Sequence, residues 1–236
     1  MTILEKFTSK TGQIALLIDP EKTNTEDALL KLVARIHESS IDYLFVGGSS
    51  ASFEDTQKVV SILKNITRIP IVLFPGSYKQ IVDGCDAILF LSLLSGRNPE
   101  FLIDHHIQSS LILRKIKSEI IPTSYILVDG GTVSAVARIS ETNPIDRFNY
   151  KKLLKTSLAG KFKGNKLTYY EAGSGAIKSI PYSIIINCIK NTSLPIIIGG
   201  GINSTKKINL LKKIGVNIIV VGNHVEKNPD FLKEIS

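Results

Sequence analysis

PIIIGGGINSTKKINLLKKIGVNIIVVGN, residues 195–223, holds one complete β–α–β unit, and the rest of the chain repeats its plan. Pro195–Ile198 is a short apolar run that ends in three glycines. Ser204 to Ile214 mixes leucine, isoleucine and lysine in the manner of a half-buried helix, and Asn217–Val221 is a second apolar run that ends at Gly222. Runs that are apolar at nearly every position suit parallel strands covered on both faces, whereas a strand with one wet face alternates. Six further runs stand at roughly even spacing: Ile14–Ile18, Tyr43–Val46, Ile71–Phe74, Ala87–Leu91, Tyr125–Val128 and Leu167–Tyr170. Eight β-then-α units predict an α/β protein built as a closed (β/α)8 barrel, a TIM barrel, in one domain over residues 1–236. An open dinucleotide-binding sheet is not expected, because Asp19-Pro20-Glu21-Lys22 follows the first strand where a GxGxxG turn would stand.

The connections are legible as well. Thr25 to Ser39 sets Ala28, Leu29, Leu32, Val33 and Ile36 on one helical face, with Thr25 as its cap. Pro99 to Lys117 predicts a helix, and Tyr150 to Ala159 a second one inside the long excursion from Gly130 to Lys166. Only Pro75 to Cys85 separates the third and fourth strands, with two glycines and a proline among those residues. So short a connection predicts a barrel whose third helix is reduced or missing.

Composition removes several classes. With 43% apolar and 21% charged residues the chain buries a full core, which excludes a disordered or collagen-like polypeptide. No apolar stretch approaches the ~20 residues of a membrane span. Met1 to Thr11 lacks the basic-then-apolar profile of a secretion signal, so the expectation is a soluble, cytoplasmic protein. Cys85 and Cys188 stand alone and read as buried free thiols. The net charge of +8 favours anionic partners without choosing among phosphorylated metabolites, a lipid surface and nucleic acid. Trp is absent, and no stacking aromatics accompany the basic excursion of Arg147, Lys151, Lys152, Lys155, Lys161, Lys163 and Lys166, so nucleic acid is not the expected partner.

Chemistry in such a barrel gathers where the strands end. Gly199-Gly200-Gly201 and Gly222-Asn223 follow strands seven and eight, the usual phosphate cradle of the fold. Strand six runs into Tyr169-Tyr170-Glu171-Ala172-Gly173-Ser174-Gly175, which places a carboxylate beside that cradle as a base or a binder of hydroxyls. Asp19 ends strand one and Ser49 follows strand two. Together they form a sparse oxygen set of the kind that holds Mg²⁺ with water and substrate phosphate, although Asp19-Pro20 equally suits a plain turn. Asp129 is a second carboxylate at a strand tip. His105 and His106 are adjacent on the fourth helix and should not face the same side, while His224 neighbours the cradle.

These segments, with Val46-Gly47-Gly48-Ser49 and Ser92-Leu93-Leu94-Ser95-Gly96-Arg97-Asn98-Pro99, resemble the geranylgeranylglyceryl phosphate synthases and the related heptaprenylglyceryl phosphate synthases along essentially the whole chain. The resemblance implies a prenyltransferase that joins sn-glycerol 1-phosphate to a prenyl diphosphate by an ether bond. It implies Mg²⁺ on Asp19 and Ser49, and glycerol phosphate on Tyr169, Tyr170, Glu171, Ala172, Gly173, Ser174, Gly175, Gly200, Gly201, Gly222 and Asn223. Glu171 would be the general base. A dimer or hexamer, in transient contact with a membrane surface, is the expected working form. Leu17 stands where the heptaprenyl group has a lysine, which favours a geranylgeranyl donor. The prenyl tail is expected across the thin third unit, near Phe74, Tyr78, Leu91 and Leu94. The competing reading is a phosphate-binding barrel that isomerises or epimerises a sugar phosphate.

Overall fold

The computed structural model describes residues 1–235 and closes eight parallel strands into a barrel in chain order. The expectation of one domain over 1–236 extends to Ser236, which lies outside the described residues. In sequence the elements are α1 (Ile3–Ser9), β1 (Gln13–Ile18), α2 (Glu26–Ile36), β2 (Tyr43–Val46), α3 (Phe53–Ile66), β3 (Ile71–Leu73), β4 (Ala87–Leu93) and α4 (His105–Leu113). There follow β5 (Glu119–Leu127), α5 (Ala135–Ile139), α6 (Tyr150–Phe162), β6 (Leu167–Glu171), α7 (Tyr182–Thr192), β7 (Ile196–Gly199), α8 (Thr205–Lys213), β8 (Ile218–Val221), α9 (Asn223–Lys227) and α10 (Phe231–Glu234). Thr25 and Ser204 cap α2 and α8, each accepting a backbone N–H with its hydroxyl.

Two shells of apolar side chains follow from the alternation along each strand. Ala15, Phe45, Val72, Leu89, Tyr125, Tyr169, Ile197 and Val220 fill the barrel, while Leu16, Leu44, Ile88, Ile126, Tyr170 and Ile219 pack outward beneath the helices. The amino end is stopped by α1. Phe7 is fully buried, meets the Tyr43 ring edge-on at 4.9 Å, and its carbonyl accepts from the amides of Gln13 and Asn217.

The third connection is as thin as its length requires: a single turn of 3₁₀ helix, Tyr78–Gln80. Buried Gln80 does part of a helix's work, accepting from the Gly76 N–H at 2.7 Å and donating to the Gly48 carbonyl at 2.9 Å, which ties the β2 and β3 loops together.

Two expectations need correction. The fifth strand begins at Glu119, not Tyr125, and pairs with β4 from Ala87 to Leu93. Pro122, Thr123 and Ser124 interrupt its apolar run, yet both hydroxyl side chains are fully buried because each finds a hydrogen-bond partner. Thr123 donates to the Ile121 carbonyl, and the Ser124 oxygen accepts from Asn165. The predicted helix Pro99–Lys117 is shorter and compound, with a π turn over Glu100–Asp104 leading into α4.

Candidate active site

A cavity of about 560 Å³ opens at the carboxyl ends of the strands. Register explains its polar wall: Asp19 lies two positions beyond inward-facing Leu17, and Glu171 two beyond inward-facing Tyr169. Glu171, the last residue of β6, is only 8% exposed and its Oε1 accepts from the Gly173 N–H at 2.7 Å. Glycine is needed around it. A Cβ on Gly199 would collide with the carboxylate and with the Tyr169 hydroxyl, and one on Gly200 would lie 2.6 Å from Glu171 Oε1. Gly200 also holds φ +83°, a conformation that side chains disfavour.

Burial pushes the Glu171 carboxyl up to about 7, against the opposing pull of the Gly173 N–H and the Tyr169 hydroxyl. That hydroxyl sits beside the carboxylate, buried and without a partner in full hydrogen-bond geometry. Burial first, and then the Glu171 charge, raise the Tyr169 phenol well above its ordinary range, so it stays protonated. A carboxyl poised near neutrality suits proton transfer to and from a hydroxyl.

Of the residues expected at the glycerol phosphate site, Tyr169, Glu171, Gly173, Ser174, Gly175, Gly200, Gly201, Gly222 and Asn223 line this cavity together. The Asn223 amide donates to the Ser174 hydroxyl, joining the loops after β6 and β8. Lys207 of α8 donates to the Gly201 carbonyl at 2.8 Å and fixes the triglycine turn. Tyr170 and Ala172 do not belong to the cavity wall. Strand alternation turns both into the outer shell, where the Tyr170 hydroxyl meets Ser157 of α6 at 2.6 Å. Asp129 is likewise outside the wall, accepting from the Gly131 N–H in a local turn.

Asp19 and Ser49 both line the mouth. The Asp19 carboxylate lies directly against Gly48, where a Cβ would come within 2.6 Å of Oδ1. A missing side chain thus brings the carboxylate up against the β2 loop that carries Ser49. Among the described residues no group of three or more His, Cys, Asp or Glu is placed to hold a metal. One carboxylate and one hydroxyl fit a hard cation that takes its remaining oxygens from water and a substrate phosphate. Lys22, which sequence reasoning passed over, stands 3.2 Å from Asp19 Oδ2.

From this polar end the cavity continues as an apolar arm lined by Phe74, Tyr78, Ile81, Leu91 and Phe101. Inward-facing Leu91 and outward-facing Phe90 of β4 both contribute, so the arm crosses the barrel rim where the third helix is lacking. Leu94, expected here, packs instead on the outer shell against α6 beside Gly160. Contrary to expectation, His105 and His106 both border the arm. The π turn just before them widens the helix entry. His105 meets the rings of Tyr78 and Phe101, while His106 reaches the Leu91 carbonyl at 2.7 Å and packs on Phe90. Burial holds the His105 imidazole below its ordinary range, in keeping with the apolar surroundings.

Comparison with known proteins gives consistent results. The sequence profile of the PcrB family matches residues 8–236. A geranylgeranylglyceryl phosphate synthase of Flavobacterium johnsoniae is 43% identical over 224 residues, spanning 94% of this chain and 92% of that one. Its counterpart in Pyrococcus furiosus is 38% identical over 212 residues, spanning 89% and 83%. Among solved structures, the (S)-3-O-geranylgeranylglyceryl phosphate synthase of Thermoplasma acidophilum in complex with its substrate sn-glycerol-1-phosphate superposes with a TM-score of 0.92 at 29% identity, covering 100% of this chain and 97% of that one.

Proposed function

The chain belongs to the PcrB family, and from that premise we propose how its cavity carries out prenyl transfer to a glycerol phosphate. It is a prenyltransferase that joins sn-glycerol 1-phosphate to geranylgeranyl diphosphate through an ether bond and releases diphosphate. The observation that carries the mechanism is one cavity with two unlike ends. A buried carboxyl with its pKa near 7 sits among glycine loops at one end, and an apolar arm runs over the reduced third unit at the other.

Ser174–Gly175, Gly200–Gly201 and the Gly222–Asn223 corner receive the phosphate with backbone N–H groups, while the Gly173 N–H stays on Glu171. Glu171 then takes the proton of the attacking hydroxyl on its carboxylate as the new oxygen–carbon bond forms at the allylic carbon. The carbon–oxygen bond to diphosphate breaks and its electron pair leaves with the diphosphate. Until it takes that proton, the negative carboxylate also steadies the positive charge building on the allylic carbon. Asp19 and Ser49 would hold Mg²⁺, which when bound supplies neutralising charge to the leaving diphosphate. The prenyl tail lies along Phe74, Tyr78, Ile81, Leu91 and Phe101, whose side chains give this arm its mainly apolar wall.

We read the protein as cytoplasmic, a location supported by two buried free thiols that suit a reducing compartment. No helix among the described residues is long and apolar enough to cross a membrane. A homo-oligomer, dimer or hexamer, is supported by Ile103, Ile107 and Leu111, exposed at 49%, 59% and 70% and spaced along one face leading through α4. Contact with a membrane surface is supported by exposed Val133 and Ile177 on the loops after β5 and β6, beside Arg138 and Lys178. Purified protein given radiolabelled sn-glycerol 1-phosphate and prenyl diphosphates of graded length should form the ether with the geranylgeranyl donor and stop when divalent cations are chelated. Turnover that ignores chelation would remove Mg²⁺ from the mechanism. Turnover of a sugar phosphate in place of the prenyl donor would restore the isomerase reading.

A further inference from the structure

The Asp19 carboxylate at the mouth has a resident partner. Lys22 Nζ lies 3.2 Å from Asp19 Oδ2, and the same ammonium lies 3.0 Å from Glu226 Oε2 and 3.3 Å from Oε1. All three residues line the cavity. Asp19 and Lys22 belong to the loop after β1, and Glu226 to α9, three residues past Asn223. One lysine therefore bridges the loop that would hold the cation and the corner that would hold the glycerol phosphate.

The bridge is not there for stability. The Lys22 side chain is 50% exposed, and ion pairs so open to water add little to folding. What it changes is the electrostatics of the mouth. Without Lys22, Asp19 and Glu226 would present two bare carboxylates to an incoming diphosphate. With it in place, a divalent cation approaching the Asp19 oxygens meets the repulsion of an ammonium already bound to one of them.

Taking Asp19 as the metal ligand, as above, we propose that Lys22 is a positioning residue: the counter-ion of Asp19 in the metal-free protein, displaced by the divalent cation onto Glu226. The second carboxylate lets the ammonium shift by a small rotation of its stem, because it already touches both partners. Once shifted, it stays at the rim as a second cation beside the diphosphate.

The test is calorimetric titration of the full-length, substrate-free protein with Mn²⁺ as the probe ion. Lys22→Met removes the competitor and keeps the stem, so Mn²⁺ should bind about three- to fivefold more tightly. Glu226→Gln leaves the ammonium only Asp19, so Mn²⁺ should bind more weakly by a similar factor. In the double variant the Glu226→Gln effect should vanish. Unchanged or weaker Mn²⁺ binding in Lys22→Met, or a Glu226→Gln effect that persists without Lys22, would overturn the proposal. Asp19→Asn is the separate control: if it leaves Mn²⁺ affinity intact, Asp19 is not the ligand and the parent reading fails on its own account. Thermal melts of each variant, expected to match the parent because the residues lie at the solvent-facing rim, guard against misfolding.

Discussion

The rings of Phe74 and Tyr169 lie 5.1 Å apart and 16° from parallel, stacked across the interior of the barrel. Tyr169 brings its hydroxyl to the Glu171 carboxylate, while Phe74 begins the connection that lacks a helix. The stack is therefore the joint between the polar and apolar halves of the cavity, and under the proposed mechanism it would set the reacting carbon of a donor threaded along the arm close to Glu171.

Leu91 stands on the arm just past this joint. Leu91→Trp should close the arm to a long tail while sparing the polar end. Turnover of geranylgeranyl diphosphate should fall about tenfold or more while a farnesyl donor is retained. Competition assays with mixed donors would read the shift directly, and unchanged product length would place the tail elsewhere.

The proton transfer proposed for Glu171 predicts a pH dependence. Only the carboxylate can act as base, so log kcat/KM should climb with pH up to about 7 and level off above it. Stability runs the other way. The folded carboxyl is raised from 4.5 to about 7, so between those values the native state holds a proton that the unfolded chain has lost. The stability this confers is complete below 4.5 and disappears as pH rises through 7. Glu171→Gln should therefore lower kcat by ~10²–10⁴. The same change should raise stability by roughly 3 kcal/mol at pH 8, and by little at pH 4. Denaturant melts at both pH values check the sign.

Gly200 combines a positive φ with a close approach to Glu171 Oε1 and to the Gly173 backbone, so Gly200→Ala has nowhere to place its methyl. The expected cost is about 1–3 kcal/mol of stability. A raised KM for glycerol phosphate should accompany it, out of proportion to any change for the donor. Equal changes in both KM values would indicate general loosening instead.

Tyr170 offers the contrasting case. Ser157 spends its single proton on the Leu153 carbonyl, which makes Tyr170 the donor of their shared bond in the outer shell. Tyr170→Phe should lower stability by about 1 kcal/mol and leave the KM for glycerol phosphate unchanged.

Much of this was legible in the order of residues. Continuous apolar runs marked all eight strands, and the short Pro75–Cys85 connection announced the thin third unit. The failures have physical causes. Pro122, Thr123 and Ser124 hid half of β5, because burial of a hydroxyl depends on partners such as Asn165 that lie far along the chain. Tyr170 was drawn into the site by its neighbours, though the twofold alternation that puts Tyr169 inside must put Tyr170 outside. His105 and His106 were separated on the assumption of a regular helix, and nothing in Glu100–Asp104 signals a π turn. Lys22 was in plain view within Asp19-Pro20-Glu21-Lys22, but its second partner, Glu226, stands at the other end of the chain.

With Phe7 and its short helix sealing the floor, the barrel is a blind well. Nothing can pass down the barrel axis, so all traffic is confined to the carboxyl-end cavity and to the apolar arm that leaves it over the thin third unit. Loading and emptying therefore share one end of the barrel.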